Sequence, residues 1–267
     1  MRTLAFAISL LALAAPRGFG ESKDCLNPDV IVPDGRIVQS QFEGSDNGSN
    51  PAYFYTFYGQ AGHSYSVEFV ATTDNENNGR AIRFFNFVIW APADKLAACT
   101  GNSSLTTVDT RKYSPALARD SYGTGRRLAF VQPTSGFDLL TIANSAGAGE
   151  YSYRVSDTTL FTPRWSTYSG FDSQWGFMNM SDMTVDGTFN VYDSGNRLLA
   201  STQVSIPAGG EVFRYSSSSD LNLPRDRVGY AYFAHTGPPR AILADSYMLN
   251  SAGTVIIFSK FETRYPD

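Results

Sequence analysis

Histidine and cysteine are scarce in this sequence, with two of each in 267 residues. A histidine metal centre gathers two or three ligands at set spacing, and His63 and His235 lie far apart, so no metal and no other cofactor is expected. Charged residues make up only 17% of the chain, the net charge is −4, and no block of like charge occurs. The densest basic spots are the pairs Arg111-Lys112 and Arg126-Arg127. Phosphate recognition needs a clustered basic face, so nucleic acid is excluded as a partner. No Gly-x-Ser-x-Gly elbow is present to expose a serine nucleophile. No helical pattern is long enough for a parallel crossover, which disfavours an α/β fold.

The longest apolar run, Leu4 to Ala15, follows Arg2 and precedes the small residues Gly18 and Gly20. As a helix it would reach about 18 Å, too short for a bilayer. A positive start, a short apolar stretch and small residues describe an export leader. Residues 1–20 are therefore expected to be cleaved, leaving a secreted or periplasmic protein with no stable membrane insertion. In an oxidising compartment Cys25 and Cys99 would form one disulfide. Closing so long a loop stabilises by on the order of 4 kcal/mol.

Aromatic residues are plentiful at 14%, and there are 23 glycines. Short β-prone runs recur with turn residues between them. Ala52 to Tyr58, Tyr65 to Val70 and Phe84 to Trp90 read as strands, as do Leu128 to Gln132, Leu139 to Asn144 and Tyr151 to Val155. The one weak helical candidate is Pro115 to Asp120. The rhythm resets at Asp157-Thr158-Thr159. Gly187 to Tyr192, Leu198 to Ile206, Glu211 to Tyr215, Gly229 to Ala234, Ala241 to Tyr247 and Val255 to Phe261 follow. The expectation is an all-β chain of two tandem antiparallel sandwiches of jelly-roll type, 25–158 and 159–267.

The first half resembles the bacterial pre-peptidase C-terminal domain family. The resemblance is carried by Tyr53 to Phe57, the turn Gln60-Ala61-Gly62, the strand Tyr65 to Glu68, and the closing strand Gly149 to Val155. It implies a small sandwich that accompanies exported enzymes. The segment Asp74 to Gly125 is longer than the family's, so the usual appendage role is not carried over directly. The second half looks like the uncharacterised sandwich modules of exported bacterial proteins, through Trp165 to Tyr168, Trp175 to Asn179 and the turn Pro207 to Gly210. That likeness implies no activity.

Aromatic side chains are the leading candidates for a binding site, and Trp165, Tyr168 and Trp175 crowd one short segment rich in Ser, Gly and Asp. Rings flanked by polar groups stack on sugars or anchor protein partners, although rings also fill cores. His235, with Asp245 or Asp226 and Arg240 near it in sequence, is the candidate general base of a hydrolase. Asp74 and Glu76, in the loop Asp74 to Gly79, offer oxygen ligands for Ca²⁺ without the ordered spacing of an EF-hand. Three functions remain. The leading one is a non-catalytic accessory protein that binds a polysaccharide, an envelope component or a protein partner. The others are a hydrolase with its site at the second-domain loops, and a structural subunit of a surface assembly with aromatic strands as pairing edges.

Overall fold

In the computed structural model, the residues described are 25–42, 52–71, 84–90, 126–146 and 149–264. The chain is all-β. Among the described residues the one helical element is a single 3₁₀ turn at Tyr168–Gly170. The proposed leader, the Pro115 to Asp120 segment, the Asp74 and Glu76 loop and Cys99 lie outside the described residues, so the expected Cys25–Cys99 disulfide is not described either.

The first half contributes β1 (Asp29–Val30), β2 (Val38–Phe42), β3 (Ala52–Gly59), β4 (Ser64–Ala71), β5 (Phe84–Trp90), β6 (Arg126–Val131), β7 (Gly136–Ala146) and β8 (Gly149–Asp157). They form two four-stranded sheets, β1-β3-β7-β5 and β2-β8-β4-β6. Pairing is antiparallel except at the two-residue β1, which runs parallel to β3. On β3, Tyr53, Tyr55 and Phe57 point inward and Tyr58 outward, as strand alternation requires. The core is rich in tyrosine, and buried hydroxyls need partners. Tyr55 and Tyr151 supply one another's, at 3.0 Å.

The second half contributes β9 (Leu160–Ser166), β10 (Asp172–Asn179), β11 (Val185–Asp193), β12 (Leu198–Ile206), β13 (Glu211–Tyr215), β14 (Val228–His235), β15 (Ile242–Leu249), β16 (Val255–Lys260) and β17 (Glu262–Thr263). A five-stranded sheet, β12-β11-β14-β9-β17, faces a four-stranded one, β13-β10-β15-β16. The rings of Trp175, Phe177, Phe189, Phe233 and Phe261 interlock between them, with neighbouring centroids 4.7–5.6 Å apart. The turns obey local chemistry. Asp193 accepts from the backbone N–H of Gly195 and of Arg197, and Asn196 takes the left-handed conformation that closes the β11–β12 hairpin.

Asp157-Thr158-Thr159 passes between the halves, pinned to the β3–β4 turn. Thr158 N–H donates to the Ser64 carbonyl, and Ser64 N–H donates to Thr159 Oγ1. The buried Asp157 carboxylate accepts from Thr159 N–H and lies 3.0 Å from His63 Nδ1. The His63 ring packs on Tyr232 of the second sandwich, with centroids 5.6 Å apart. Asn179, in the sequon Asn179-Met180-Ser181, is fully buried, and its amide donates to the carbonyls of Met183 and Ile206.

Gly229 sits at a bulge where β14 crosses β9. A Cβ there would lie 1.9 Å from the Tyr192 carbonyl oxygen and 2.8 Å from Asp193 Cα. Both are backbone atoms and cannot rotate away. Gly229→Ala is expected to destabilise by at least ~2 kcal/mol, read as a lower urea midpoint with an unchanged slope.

Candidate binding face

The site begins with the inward placement of Trp175 and Phe177 on β10. Because side chains alternate, Gln174, Gly176 and Met178 point to the opposite, outer face of the four-stranded sheet. The register then lays out three rows across that face. The first is Tyr215, Gln174, Tyr247 and Phe258. The second is Phe213, Gly176, Asp245 and Lys260. The third is Glu211, Met178 and Leu243.

Gly176 shapes the middle of this surface. A Cβ built on it would lie 3.0 Å from Phe213 Cε1. The Phe213 ring therefore leans across the strand into the space a side chain would fill, while 41% of the residue stays exposed. Phe258 is 50% exposed and contacts Tyr247 at 5.2 Å between centroids. Burial raises the Tyr247 pKa, and the Asp245 carboxylate that its hydroxyl meets adds to the rise. That hydroxyl stays protonated at neutral pH. The face thus combines exposed rings with an amide, carboxylates and an ammonium group.

A second aromatic group lies on the outer face of the five-stranded sheet, but it is internally consumed. Tyr192 and Tyr230 stack at 5.1 Å with planes 2° apart. Tyr192 and Tyr232 share a hydroxyl contact of 2.7 Å, and the Tyr230 hydroxyl donates to Asn196 Oδ1. Tyr232 also packs under Gly62 and His63. These rings turn their faces to one another and form part of the joint between sandwiches.

The residues singled out in the sequence are dispersed. Trp165 and Trp175 are 0% exposed, which corrects their assignment to a ligand platform. Trp165 Nε1 donates to the carbonyls of Tyr192 and Tyr230, so the indole is satisfied inside the core. Tyr168 is exposed, on the 3₁₀ turn. His235 is buried on β14, with Nδ1 accepting from Gly237 N–H at 3.1 Å. Burial, then the charge of Arg127, lowers its pKa to about 4, against a hydrogen bond to the Thr158 backbone. It is a neutral structural histidine without access for a substrate. Asp245 belongs to the other sheet's outer face, so the structure does not assemble the two into a base and its orienting acid. The sequence reading missed the His63–Asp157 pair, because its partners are brought together only by the joint. Among the described residues no hydroxyl or thiol is hydrogen-bonded to the other His63 nitrogen. No group of three His, Cys, Asp or Glu gathers among those residues.

No protein-family profile matches the chain, and no curated relative matches it by sequence. Among solved structures, a glycosyl hydrolase family 2 member from Bacteroides cellulosilyticus is 11% identical, with a TM-score of 0.23, over 80% of this chain and 28% of that one. The full extracellular region of zebrafish Gpr126/Adgrg6 is 10% identical, with a TM-score of 0.21, over 88% and 31%. A β-glucuronidase of glycoside hydrolase family 2 is 8% identical, with a TM-score of 0.19, over 82% and 24%. The chain spans less than a third of each of these proteins. At that level of agreement the matches bear on neither its fold nor its activity.

His235 has a measurable consequence. Its folded pKa of about 4 lies below the ordinary 6.5, so between those values the unfolded chain binds more protons. The stability it contributes is present above about pH 6.5 and is lost as pH falls toward 4. His235→Gln keeps an acceptor for Gly237 and a donor for Thr158. It is expected to remove this acid-dependent loss, measured as urea midpoints across the same window.

Proposed function

We propose that this is a non-catalytic binding protein of the cell exterior that holds an extracellular polysaccharide across the outer face of the β13-β10-β15-β16 sheet. The observation that carries the reading is Phe213 leaning over Gly176 with its ring exposed, in a row that continues into Asp245 and Lys260. A sugar ring has an apolar C–H face and a rim of hydroxyls. Rings alternating with amide, carboxylate and ammonium groups match both. Among the described residues the face is an uncovered sheet, with Phe213, Met178, Leu243 and Phe258 all exposed, whereas small ligands are held in concave pockets. An open platform suits a chain that continues beyond the protein on both sides. The accessory character is supported by the export-type leader and by the resemblance of the first half to exported accessory sandwiches.

A second reading, a structural subunit, draws on β16. This edge strand exposes Val255, Ile256, Ile257 and Phe258 together. Edges of that kind template pairing. Antiparallel pairing with a second copy about an axis between Ile256 and Ile257 would set apolar residues against apolar residues. It predicts concentration-dependent mass by ultracentrifugation that Ile257→Lys abolishes, and a monomer at every concentration refutes it.

The polysaccharide reading is tested by retention of the purified protein on insoluble glycans. Phe213→Ala and Phe258→Ala are each expected to weaken retention roughly tenfold, the scale of one aromatic contact. Gly176→Val should do the same with Phe213 still present, because the ring loses its seat. Tyr168→Ala, an exposed ring elsewhere, should change nothing. Fluorescence from the core residues Trp165 and Trp175 verifies folding of each variant. Equal retention of Phe213→Ala, Gly176→Val and the unaltered protein, or retention on no glycan, overturns the reading.

A further inference from the structure

Asp138 on β7 is 0% exposed, and Gln132, just beyond β6, is buried beside it. The Gln132 amide nitrogen donates both hydrogens, to Asp138 Oδ1 at 3.1 Å and to the Thr134 carbonyl at 2.8 Å. These two bonds fix which way round the amide lies. They leave Gln132 Oε1 and Asp138 Oδ2 buried without partners. Two lone-pair acceptors cannot satisfy one another, and a buried orphan bears its full desolvation cost. A proton on Oδ2 converts that acceptor into a donor, and Oε1 is the orphan acceptor of the amide that Asp138 already pairs with.

We infer that Asp138 is held as the neutral carboxylic acid, its Oδ2–H donating to Gln132 Oε1 to close a two-bond acid–amide pair, and that this pair is a pH-sensitive latch on the β3–β4 turn. Gly59 crowds the pair. A Cβ there would lie 2.8 Å from Asp138 Oδ2 and 2.9 Å from Gln132 Cδ. Burial pushes the Asp138 pKa up to about 7, against the Gln132 hydrogen bond. Tyr65 on β4 lies within electrostatic range of Asp138, and also of Asp157 at the end of β8 and Arg264 beyond β17, while Asp157 pairs with His63 on the turn. Among the described residues, none of them is hydrogen-bonded to the Asp138 carboxyl.

The main chain of Gln132 transmits the state of the pair. Its N–H donates to the His63 carbonyl at 2.7 Å, and its carbonyl accepts from Gly62 N–H at 2.8 Å. Gly62 and His63 are the residues that meet Tyr232 of the second sandwich. Ionising Asp138 sets a bare carboxylate oxygen against the amide oxygen, and Gln132 then has reason to turn away. The latch is closed in acid and released as pH rises.

The folded pKa of about 7 lies above the ordinary 3.8, so the stabilisation is fully present below about 3.8 and lost as pH rises through about 7. His235 acts in the opposite direction over an overlapping window, so the unaltered protein shows the two partly cancelled. Asp138→Asn separates them, because an amide both accepts from Gln132 Nε2 and donates to Oε1 at every pH. Relative to this variant, the unaltered protein is expected to lose stability with a slope approaching one proton between those two pKa values. Amide exchange at Gly62 and Gln132, corrected for intrinsic rate by reference to Asp138→Asn, should rise above about pH 7 in the unaltered protein alone. Carboxyl ¹³C shifts should show Asp138 titrating in the native state near 7 and not near 3.8. An ordinary carboxyl titration, identical slopes in the two proteins, or exchange at Gly62 that ignores pH overturns the inference. If Asp138→Asn fails to fold, the ¹³C titration of the unaltered protein decides alone.

Discussion

Strand alternation is the constraint on which the rest of this structure depends. Once Trp175 and Phe177 are committed to the core of the second sandwich, Gln174, Gly176 and Met178 have no other place than the outside. Pairing then fixes which neighbours stand beside them. Tyr215 and Tyr247 flank Gln174, and Phe213 and Asp245 flank Gly176. A one-residue slip of β10 would exchange the core and the platform together. Core packing and the candidate binding face are therefore two sides of one decision about register.

The joint between the sandwiches follows a different logic, that of polar groups that must be satisfied where water is excluded. Asp157, Ser64, Thr158 and Thr159 bond one another across the passage between halves. His63 lies against that network on one side and against Tyr232 on the other. His235 contributes from β14, held neutral because a buried charge beside Arg127 is costly. Asp138 and Gln132 extend the same polar layer one step deeper into the first sandwich. Two buried ionisable groups with displaced pKa values, moving in opposite directions, flank one joint. Stability with pH is thus a difference between two opposed contributions, and neither is visible in the total alone.

Much of the architecture was legible in the sequence. Phe84–Trp90, Leu198–Ile206 and Glu211–Tyr215 are strands with the bounds that the apolar runs and turn residues mark. That Tyr53, Tyr55 and Phe57 share one face follows from alternation alone, and the structure shows that face to be the inner one. The candidate site was much less legible. Trp165 and Trp175 stand out in sequence as large rings among small polar residues, and size is what drew them inward. The face is built from Phe213, Tyr247 and Phe258, on three strands separated by loops and a change of sheet. The available signal was a glycine between two core aromatics, Trp175-Gly176-Phe177, which marks a place where something else approaches the backbone.

The sequence by itself determined the all-β class, the central part of most strands, and which residues of a strand share a face, because these depend on local geometry and on turn residues a few positions apart; it did not mark β2 or β9, and it started β10 four residues late. Only the tertiary structure decided which of two aromatic faces is core, that Phe213 rests on Gly176, that His63 meets Asp157, and that His235 and Asp245 do not meet. Those outcomes depend on strand order and register between segments distant in the chain. The two-residue period is the same for every such pairing, so it leaves the choice of partner to packing.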